Sequence, residues 1–264
     1  MELKQISILS LATLLLLNVL SVQAEESAST PLLNYETVNI LPGQYNLYIP
    51  ILTSFSVEYI KKKITINSGY RIGKYEVTND QWNKCFQMGG CSKAAEIKLG
   101  EAGNHPVVRV NWHDAYQYSR WLTKVSGKTY RLPTEEEWNF AVYQGRDHKE
   151  VEKEYDYKDL NPINLIEKRT TPQGTFPANS WGVADYKGNV WEWTLSCWHA
   201  AEENILKNHT PTELNSPNAC FTRIALGENR SHIPDFITDT YSGGCATLRP
   251  AANLGFRLVL EEHE

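Results

Sequence analysis

The sequence predicts an α+β chain in which a few short helices and short antiparallel strands are joined by many loops. Three observations support this class. Strict alternation of apolar and polar residues marks a half-buried strand at 54–60. Capping-box patterns mark the starts of two helices, at Thr78 and at Thr134. Eight tryptophans and fourteen tyrosines are typical of a loop-rich fold held together by aromatic side chains.

The start of the chain has the pattern of a secretory signal that is removed after export. One lysine precedes an uncharged apolar stretch at 6–20, and small residues follow at the position of a cleavage site. We therefore expect residues 1–24 to be a signal peptide, residues 25–37 a flexible segment and residues 38–264 a single domain. No later stretch is long enough to span a bilayer. The expected location is the periplasm, with secretion as the alternative.

The charge of the chain argues against a nucleic-acid partner. The formal net charge is −5, and acidic and basic residues are mixed along the sequence. Nucleic-acid binding requires a basic patch or stripe. A lysine run at 61–63 is typical of a solvated turn or strand edge, rather than of a binding patch.

Further short strands are predicted from apolar runs between turn signals. Residues 64–66 and 70–77 are expected to continue the sheet that begins with the first strand. Residues 107–110 and 130–132 form two more short runs. Residues 190–195 follow a Gly-Asn turn and predict a short buried strand.

Three helices are predicted from their N-caps and from a 3.6-residue apolar period. Thr78 with Gln81, and Thr134 with Glu137, form capping boxes, while Asn111 caps the helix between them. Three glutamates follow Thr134 in the first turn, where the helix dipole favours negative charge. The dipole accounts for these glutamates without acid–base catalysis.

Two polar stretches interrupt the pattern of strands and helices. Residues 146–172 are charged and poorly periodic, which predicts a surface excursion. Residues 199–241 form a long polar insertion. Long loops of this kind are often functional or mobile, so the insertion is part of the expected binding surface.

Glu192 lies between two tryptophans in the last predicted strand. A buried carboxylate without a partner is costly, so this side chain must either face water or have a partner. One interpretation is a half-exposed strand with Glu192 on its wet face. The other is a calcium site formed by Asn189, the carbonyl of Val190 and Glu192, because calcium prefers oxygen ligands.

One segment resembles a signature of the formylglycine-generating (sulfatase-modifying factor) family: Gly182-Val-Ala-Asp-Tyr-Lys-Gly-Asn-Val-Trp-Glu-Trp193. Four more segments match the family in the family's order: Tyr75-Glu-Val-Thr-Asn79, His105-Pro-Val-Val-Arg-Val-Asn-Trp112, Tyr130-Arg-Leu-Pro-Thr-Glu-Glu-Glu-Trp138 and Leu254-Gly-Phe-Arg257. Together they cover roughly residues 40–260. The resemblance implies a low-regularity, C-type-lectin-like fold of the sulfatase-modifying factor type.

The same resemblance implies a chemistry that this sequence does not complete. Catalytic members of the family oxidise a cysteine of an unfolded sulfatase chain to formylglycine, using molecular oxygen and copper held by two cysteines. The matching stretch, 242–253, has Leu248 and Asn253 at the two cysteine positions. Because such a Cu(I) site needs two thiolates, copper is not expected.

All five cysteines lie in the part of the chain that is expected to be exported, where disulfides form readily. Sequence proximity and the resemblance to exported family members favour two pairs. Cys85 and Cys91 would close a short loop, and Cys197 and Cys220 would join positions around the insertion. This arrangement leaves Cys245 unpaired.

Cys245 is the candidate catalytic residue, and three interpretations of it compete. It is a buried inert side chain, a partner in an intermolecular or rearranged disulfide, or a reactive thiol. Gly243 and Gly244 would let a ligand approach the backbone closely. Arg249 and Arg257 match the family's ending and complete the candidate binding residues. For both arginines, a structural role that ties loop carbonyls or carboxylates together is favoured.

Two functional hypotheses follow. The preferred one is an exported domain without the copper site that acts as an accessory or binding module in the cell envelope. Its ligand would be a peptide, another protein or a glycan, in a groove near residues 243–245 and the 199–241 insertion. The alternative is an oxidoreductase or maturation enzyme with altered chemistry at Cys245. Because both copper ligands are missing, the sequence favours a protein that is not an enzyme.

Overall fold

Two antiparallel strand pairs lead the part of the chain that the computed structural model describes, which comprises residues 35–52, 57–147, 169–197, 210–219, 222–227, 236–239 and 253–261. The paired strands are β1 (Thr37–Ile40) with β4 (Tyr70–Gly73), and β2 (Gly43–Leu52) with β3 (Val57–Ile66). β2 follows β1 along one segment of chain, and β4 follows β3 along the segment paired with it, so the two strand pairs are consecutive. Ile40 lies opposite Tyr70 at the end of the first pair, and Gly43 lies opposite Ile66 at the start of the second.

The first sheet brings the two ends of the domain together. Its strand order is β1-β4-β10-β5, where β5 is Tyr130–Arg131 and β10 is Val259–Leu260. β10 therefore lies between two strands that precede it by more than a hundred residues, and it is antiparallel to both. β2 and β3 form a separate two-stranded sheet.

A second four-stranded sheet holds the tryptophan-rich segment. Its order is β8-β7-β6-β9, with β6 (Trp191–Cys197), β7 (Thr222–Leu226), β8 (Phe236–Asp239) and β9 (Leu254–Gly255). β6 and β9 are parallel, and every residue of β6 is buried. A Cβ at Gly255 would lie 2.5 Å from the Val107 carbonyl oxygen, so only glycine fits this crossing.

Four helices lie in the described residues: α1 (Asn79–Gln87), α2 (Trp112–Ser126), α3 (Glu135–Tyr143) and the short α4 (Pro211–Leu214). The three predicted N-caps are confirmed. Thr78 and Thr134 form capping boxes with Gln81 and Glu137, and Asn111 caps α2. These helices start where predicted because a cap depends on residues only three positions apart.

The hydrophobic core lies between β1–β4, α3 and β7. It is built from buried apolar and aromatic side chains that these elements contribute together. The cluster comprises Ile40, Tyr45, Leu47, Ile64, Tyr70, Ile72, Trp138, Phe140, Ala141, Val142, Tyr143, Val183, Tyr186, Ile224, Leu226 and Val259. The α+β class predicted from the sequence is therefore confirmed, with few helices, short and mostly antiparallel strands and long connections.

Three predictions from the sequence are wrong: one boundary, one sheet assignment and one strand. The segment predicted to be flexible up to residue 37 ends earlier, since β1 begins at Thr37. Residues 64–66 and 70–77 do not continue one sheet, because β3 and β4 belong to different sheets. Residues 107–110 form no strand, and Pro106 makes only an isolated bridge with Thr78. A proline lacks the N–H that a longer ladder would need.

Several predicted features lie outside the described residues. They are the signal peptide at 1–24, most of the surface excursion at 146–172, and Cys220, Gly243, Gly244, Cys245 and Arg249. Within the ranges that the structure covers, no helix has the length and apolar character needed to cross a membrane.

Candidate functional site

Glu192 and Arg257 form a fully buried ion pair at the centre of the domain. Arg257 donates from Nε to Glu192 Oε2 at 2.5 Å and from Nη2 to Oε1 at 2.7 Å. Trp138 of α3 donates its indole N–H to the same Oε2 at 2.8 Å. The remaining guanidinium protons bind three backbone carbonyls in two segments, those of Gly73 and Lys74 at the end of β4 and that of Ala184. This pair ties β6, α3 and the loops of the domain together.

This geometry corrects one interpretation of Glu192. The side chain does not face water, because it is fully buried and both carboxylate oxygens accept from Arg257. The Oδ1 of Asn189 accepts from the backbone N–H of Thr171 at 2.9 Å. The side-chain oxygens of the predicted calcium site thus accept hydrogen bonds within the protein, and the site of Asn189, Val190 and Glu192 stays a prediction. Arg257 has the structural role that the sequence favoured and is too buried to bind a ligand.

Two more buried carboxyls surround this pair. Burial raises the pKa of Glu76 well above its usual value, and the nearby carboxylates of Glu192 and Asp185 add to the shift against the opposing effect of Arg257. Burial also raises the pKa of Asp185, although its oxygens accept backbone N–H groups from Gly174 and Phe176. The charge of one guanidinium, Arg257, thus acts on three nearby carboxyl groups, of which Glu192 is hydrogen-bonded to it. This imbalance of charge favours a proton on Glu76.

A second arginine, Arg131, binds two carboxylates at the edge of the first sheet. Its guanidinium makes a two-bond contact with Glu137, with both distances at 2.7 Å, and its Nε donates to Glu261 at 2.7 Å. Glu137 also accepts the N-cap N–H of Thr134 at 2.8 Å. From the sequence, Glu137 was assigned to the capping box and to the first turn of the helix. Arg131 lies in a short predicted strand only six positions before Glu137, and this proximity of opposite charges is a signal that could have revealed the pair.

A polar groove of about 660 Å³ lies beside this arginine. Its lining includes eight consecutive residues, 63–70, at the end of β3 and the start of β4. The other lining residues are Arg131, Thr134, Glu136, Glu137, Thr210, Pro211 and Glu261. Two of them, Thr210 and Pro211, belong to the polar insertion. The groove therefore lies next to described residues of the insertion, and the predicted ligand groove near 243–245 stays a prediction because those residues lie outside the described ranges.

Glu136 is a titratable group in the groove wall with a perturbed pKa. Burial raises the pKa of this carboxyl, while a backbone hydrogen bond and the Lys62 ammonium act in the opposite direction. The hydroxyl of Tyr45 fixes the same turn of α3 by donating to the Glu136 carbonyl at 3.0 Å. Perturbed carboxyls in clefts are typical of functional sites. Glu136 was not predicted from the sequence, because the helix dipole accounted for its charge.

A third buried arginine, Arg223, anchors the insertion. It donates to the carbonyls of Leu195, Leu214 and Ser216, and its guanidinium carbon lies 4.0 Å from the ring centroid of Trp112. No carboxylate binds it within the described ranges. Burial lowers the pKa of Arg223 to about 10, so the side chain is a cation at neutral pH. Its place in a polar insertion gave no sequence signal of burial.

One disulfide lies in the described residues. Cys85 at the end of α1 pairs with Cys91, as the sequence predicted, with an S–S distance of 2.06 Å. Cys197 in β6 is also disulfide-bonded. Its predicted partner, Cys220, lies outside the described residues, as does Cys245. No cluster of three or more His, Cys, Asp or Glu side chains able to hold a metal occurs in the covered ranges.

The structure is a low-regularity α+β domain. It has a fully buried ion pair, Glu192 with Arg257, at its centre and a polar groove beside Arg131. Residues 23–262 match the family model described as the sulfatase-modifying factor enzyme 1-like domain. The chain therefore belongs to the formylglycine-generating sulfatase-modifying family.

Curated relatives include both catalytic and inactive members. The formylglycine-generating enzyme of Mycobacterium tuberculosis is 33% identical over 199 residues, which cover 62% of this chain and 60% of the relative. The inactive C-alpha-formylglycine-generating enzyme 2 of Bos taurus is 28% identical over 165 residues, which cover 54% of this chain and 50% of the relative. The chain thus spans between half and three fifths of the length of these relatives.

Solved structures share the fold. PvdO from Pseudomonas aeruginosa has a TM-score of 0.64 at 21% identity, with 86% of this chain and 94% of that chain covered. CarF has a TM-score of 0.57 at 18% identity, with 88% of this chain and 100% of that chain covered. At these identities the likeness extends to the fold alone.

Proposed function

We propose that this chain is an accessory or binding module of its family, without copper-dependent oxidation. In this proposal the protein is exported, works in the cell envelope and binds a peptide, a protein or a glycan. The observation that carries the proposal is the pair Leu248 and Asn253, which occupy the positions of the two copper-binding cysteines. Without two thiolates, a soft Cu(I) ion has no site of the required kind.

The chemistry of the centre supports a structural rather than a catalytic use of its charged groups. Glu192 and Arg257 neutralise each other in full burial, so no substrate atom can approach either of them. A catalytic acid or base must come within hydrogen-bonding reach of the proton that it transfers. A relative whose name marks it as inactive, in Bos taurus, also supports the proposal that this family fold serves without catalysis.

The polar groove supports a binding role. It joins the open end of a strand pair to the first turn of α3 and to the insertion, and it holds charged groups of both signs. Arg131 is fixed by two carboxylates, so the wall of the groove is preorganised. Preorganised walls reduce the entropy that a site loses when a ligand binds.

The experiment measures copper content and peptide oxidation on the full chain. The protein is reconstituted with Cu(I), analysed for metal, and incubated in air with an unfolded sulfatase peptide whose cysteine is followed by mass spectrometry. We expect neither stoichiometric copper nor formylglycine. The Mycobacterium tuberculosis formylglycine-generating enzyme serves as the matched positive control. About one copper per chain together with conversion of the peptide would overturn the proposal.

A further inference from the structure

Within the described ranges one edge of β3 has no partner strand, whereas the corresponding edge of β4 is paired with β10. β10 pairs with β4 at Ile72 and Arg71, and its last residue is Leu260. Directly after β10 the pairing on the β5 side continues by one residue, because the Glu261 N–H donates to the Thr129 carbonyl at 2.9 Å. Among the described residues, β3 pairs with β2 alone. β3 thus continues past the end of β10, and one side of its backbone has no partner strand in the part of the chain that the structure describes.

The polar groove runs along this part of the chain. The lining residues 63–70 comprise the last four residues of β3, the connection to β4 and the first residue of β4. Glu261, directly after β10, lines the groove as well. The groove therefore begins where β10 ends. An uncovered strand edge presents N–H and C=O groups in a repeat that another strand can pair with.

The side chains of β3 alternate in exposure where the strand approaches and enters the groove. Lys61, Lys63 and Thr65 are exposed, whereas Ile64 is buried and Lys62 and Ile66 are half-buried. The exposed face therefore carries two lysines, and the opposite face is apolar apart from the half-buried Lys62. In an added strand, side chains at alternate positions would meet these two faces separately. Opposite charges directly across a strand pair are favourable, and like charges are unfavourable.

We propose that β3 binds an extended peptide segment of another protein, added as a third strand, with acidic side chains at alternate positions facing Lys61 and Lys63. The segment would occupy beside β3 the position that β10 occupies beside β4. Main-chain hydrogen bonds would supply affinity, and the two lysines would select the charge of the partner. This inference rests on the proposed function as a binding module and names its class of partner.

The test uses synthetic peptides of about ten residues, the length of a typical strand. One probe alternates glutamate with valine, and its control alternates lysine with valine. Binding to the full chain is measured by fluorescence anisotropy, and amide NMR shifts locate the contact. We expect the acidic probe to bind at residues 61–67 and the basic probe to bind at least on the order of tenfold more weakly.

Charge reversal gives the matched variant. In the double variant K61E/K63E we expect the preference to invert, so that the basic probe binds and the acidic probe does not. Lys124 is an exposed lysine on α2 that does not line the groove, so K124E is the control and should bind as wild type does. Circular dichroism and the melting temperature confirm that each variant is folded.

N-methylation separates strand addition from simple charge attraction. Two acidic probes are made, one methylated at every odd amide and the other at every even amide. Only alternate N–H groups of an added strand face its neighbour, so one probe should lose binding and the other should keep it. Equal binding by both methylated probes, or an unchanged preference in K61E/K63E, would overturn the inference. So would the absence of binding by the acidic probe. None of these results bears on the copper assay, which tests the proposed function separately.

Discussion

Arg257 and Arg223 are both fully buried, yet the protein holds their charges in different ways. Arg257 meets a carboxylate with two bonds and uses its other protons on loop carbonyls. Arg223 meets only carbonyl oxygens and the ring of Trp112 among the described residues, and its Nε has no hydrogen-bond partner there. A buried cation therefore need not be matched by an anion. Truncating Arg257 and truncating Arg223 should consequently reduce the free energy of unfolding by different amounts.

The largest effect is expected for Arg257→Met. The substitution leaves the Glu192 carboxylate buried without its counterion, which costs about 3–5 kcal/mol in comparable sites. Urea unfolding followed by tryptophan fluorescence measures the loss. Many domains have little more stability than this, so the variant should be at the limit of folding.

A double variant keeps this comparison testable. Combining Arg257→Met with Glu192→Met removes both charges and leaves two side chains of similar volume. We expect the double variant to be more stable than Arg257→Met alone, since no unpaired charge remains. Additive losses in the two single variants would show that the pair contributes through packing and not through charge.

A smaller loss is expected for Arg223→Met. No carboxylate loses its partner within the described ranges, so the cost comes from carbonyl groups that lose their donor, about 1–3 kcal/mol. The same urea measurement serves. Because Arg223 joins β7 to the carbonyls of Leu214 and Ser216, proteolysis should also cut faster near α4. A loss as large as that of Arg257→Met would contradict the difference between the two sites.

Glu76→Gln should stabilise the protein at neutral pH. The folded-state pKa of Glu76 is raised, so its contribution to stability is present below the unfolded value of 4.5 and is lost as pH rises through the folded value. Glutamine retains the carbonyl oxygen that accepts from Asn189. The difference in unfolding free energy between variant and wild type should therefore grow from pH 4.5 toward pH 8. A difference that is independent of pH would mean that Glu76 is ionised in the folded protein.

No effect is expected from calcium removal. A ligand that binds only the folded state must raise its melting temperature. Because Glu192 is committed to Arg257, adding EDTA and then excess calcium should leave the melting temperature unchanged. A rise on adding calcium would support the predicted assignment of Asn189, Val190 and Glu192 as ligands.

The sequence predicted the elements that depend on neighbours along the chain. All three helix N-caps were correct, because each depends on residues within one turn. The buried strand after Asn189 was correct, because a dense apolar run identifies it. The division of the described strands into three sheets was missed, because strand pairing depends on contacts between distant segments that periodicity does not encode.

The buried ion pairs show what the sequence could and could not predict about the candidate site. Glu192 needed a partner, and this requirement was visible, but Arg257 lies 65 positions away and its closeness depends on β6 and β9 pairing. Arg131 and Glu137 are only six positions apart, and their pair was missed because the capping box already explained the glutamate. One residue can serve two purposes, and the first explanation found conceals the second.

The central position of β10 has a consequence for how the protein is made. Ribosomes release a chain from its N-terminus, and contacts between distant segments form slowly. β4 and β5 receive their shared neighbour only when Val259 and Leu260 have emerged. Arg257, two residues earlier, completes the central ion pair at almost the same moment. The centre of the domain therefore closes only after residues 257–260 have emerged, although most of the strands around it are synthesised much earlier.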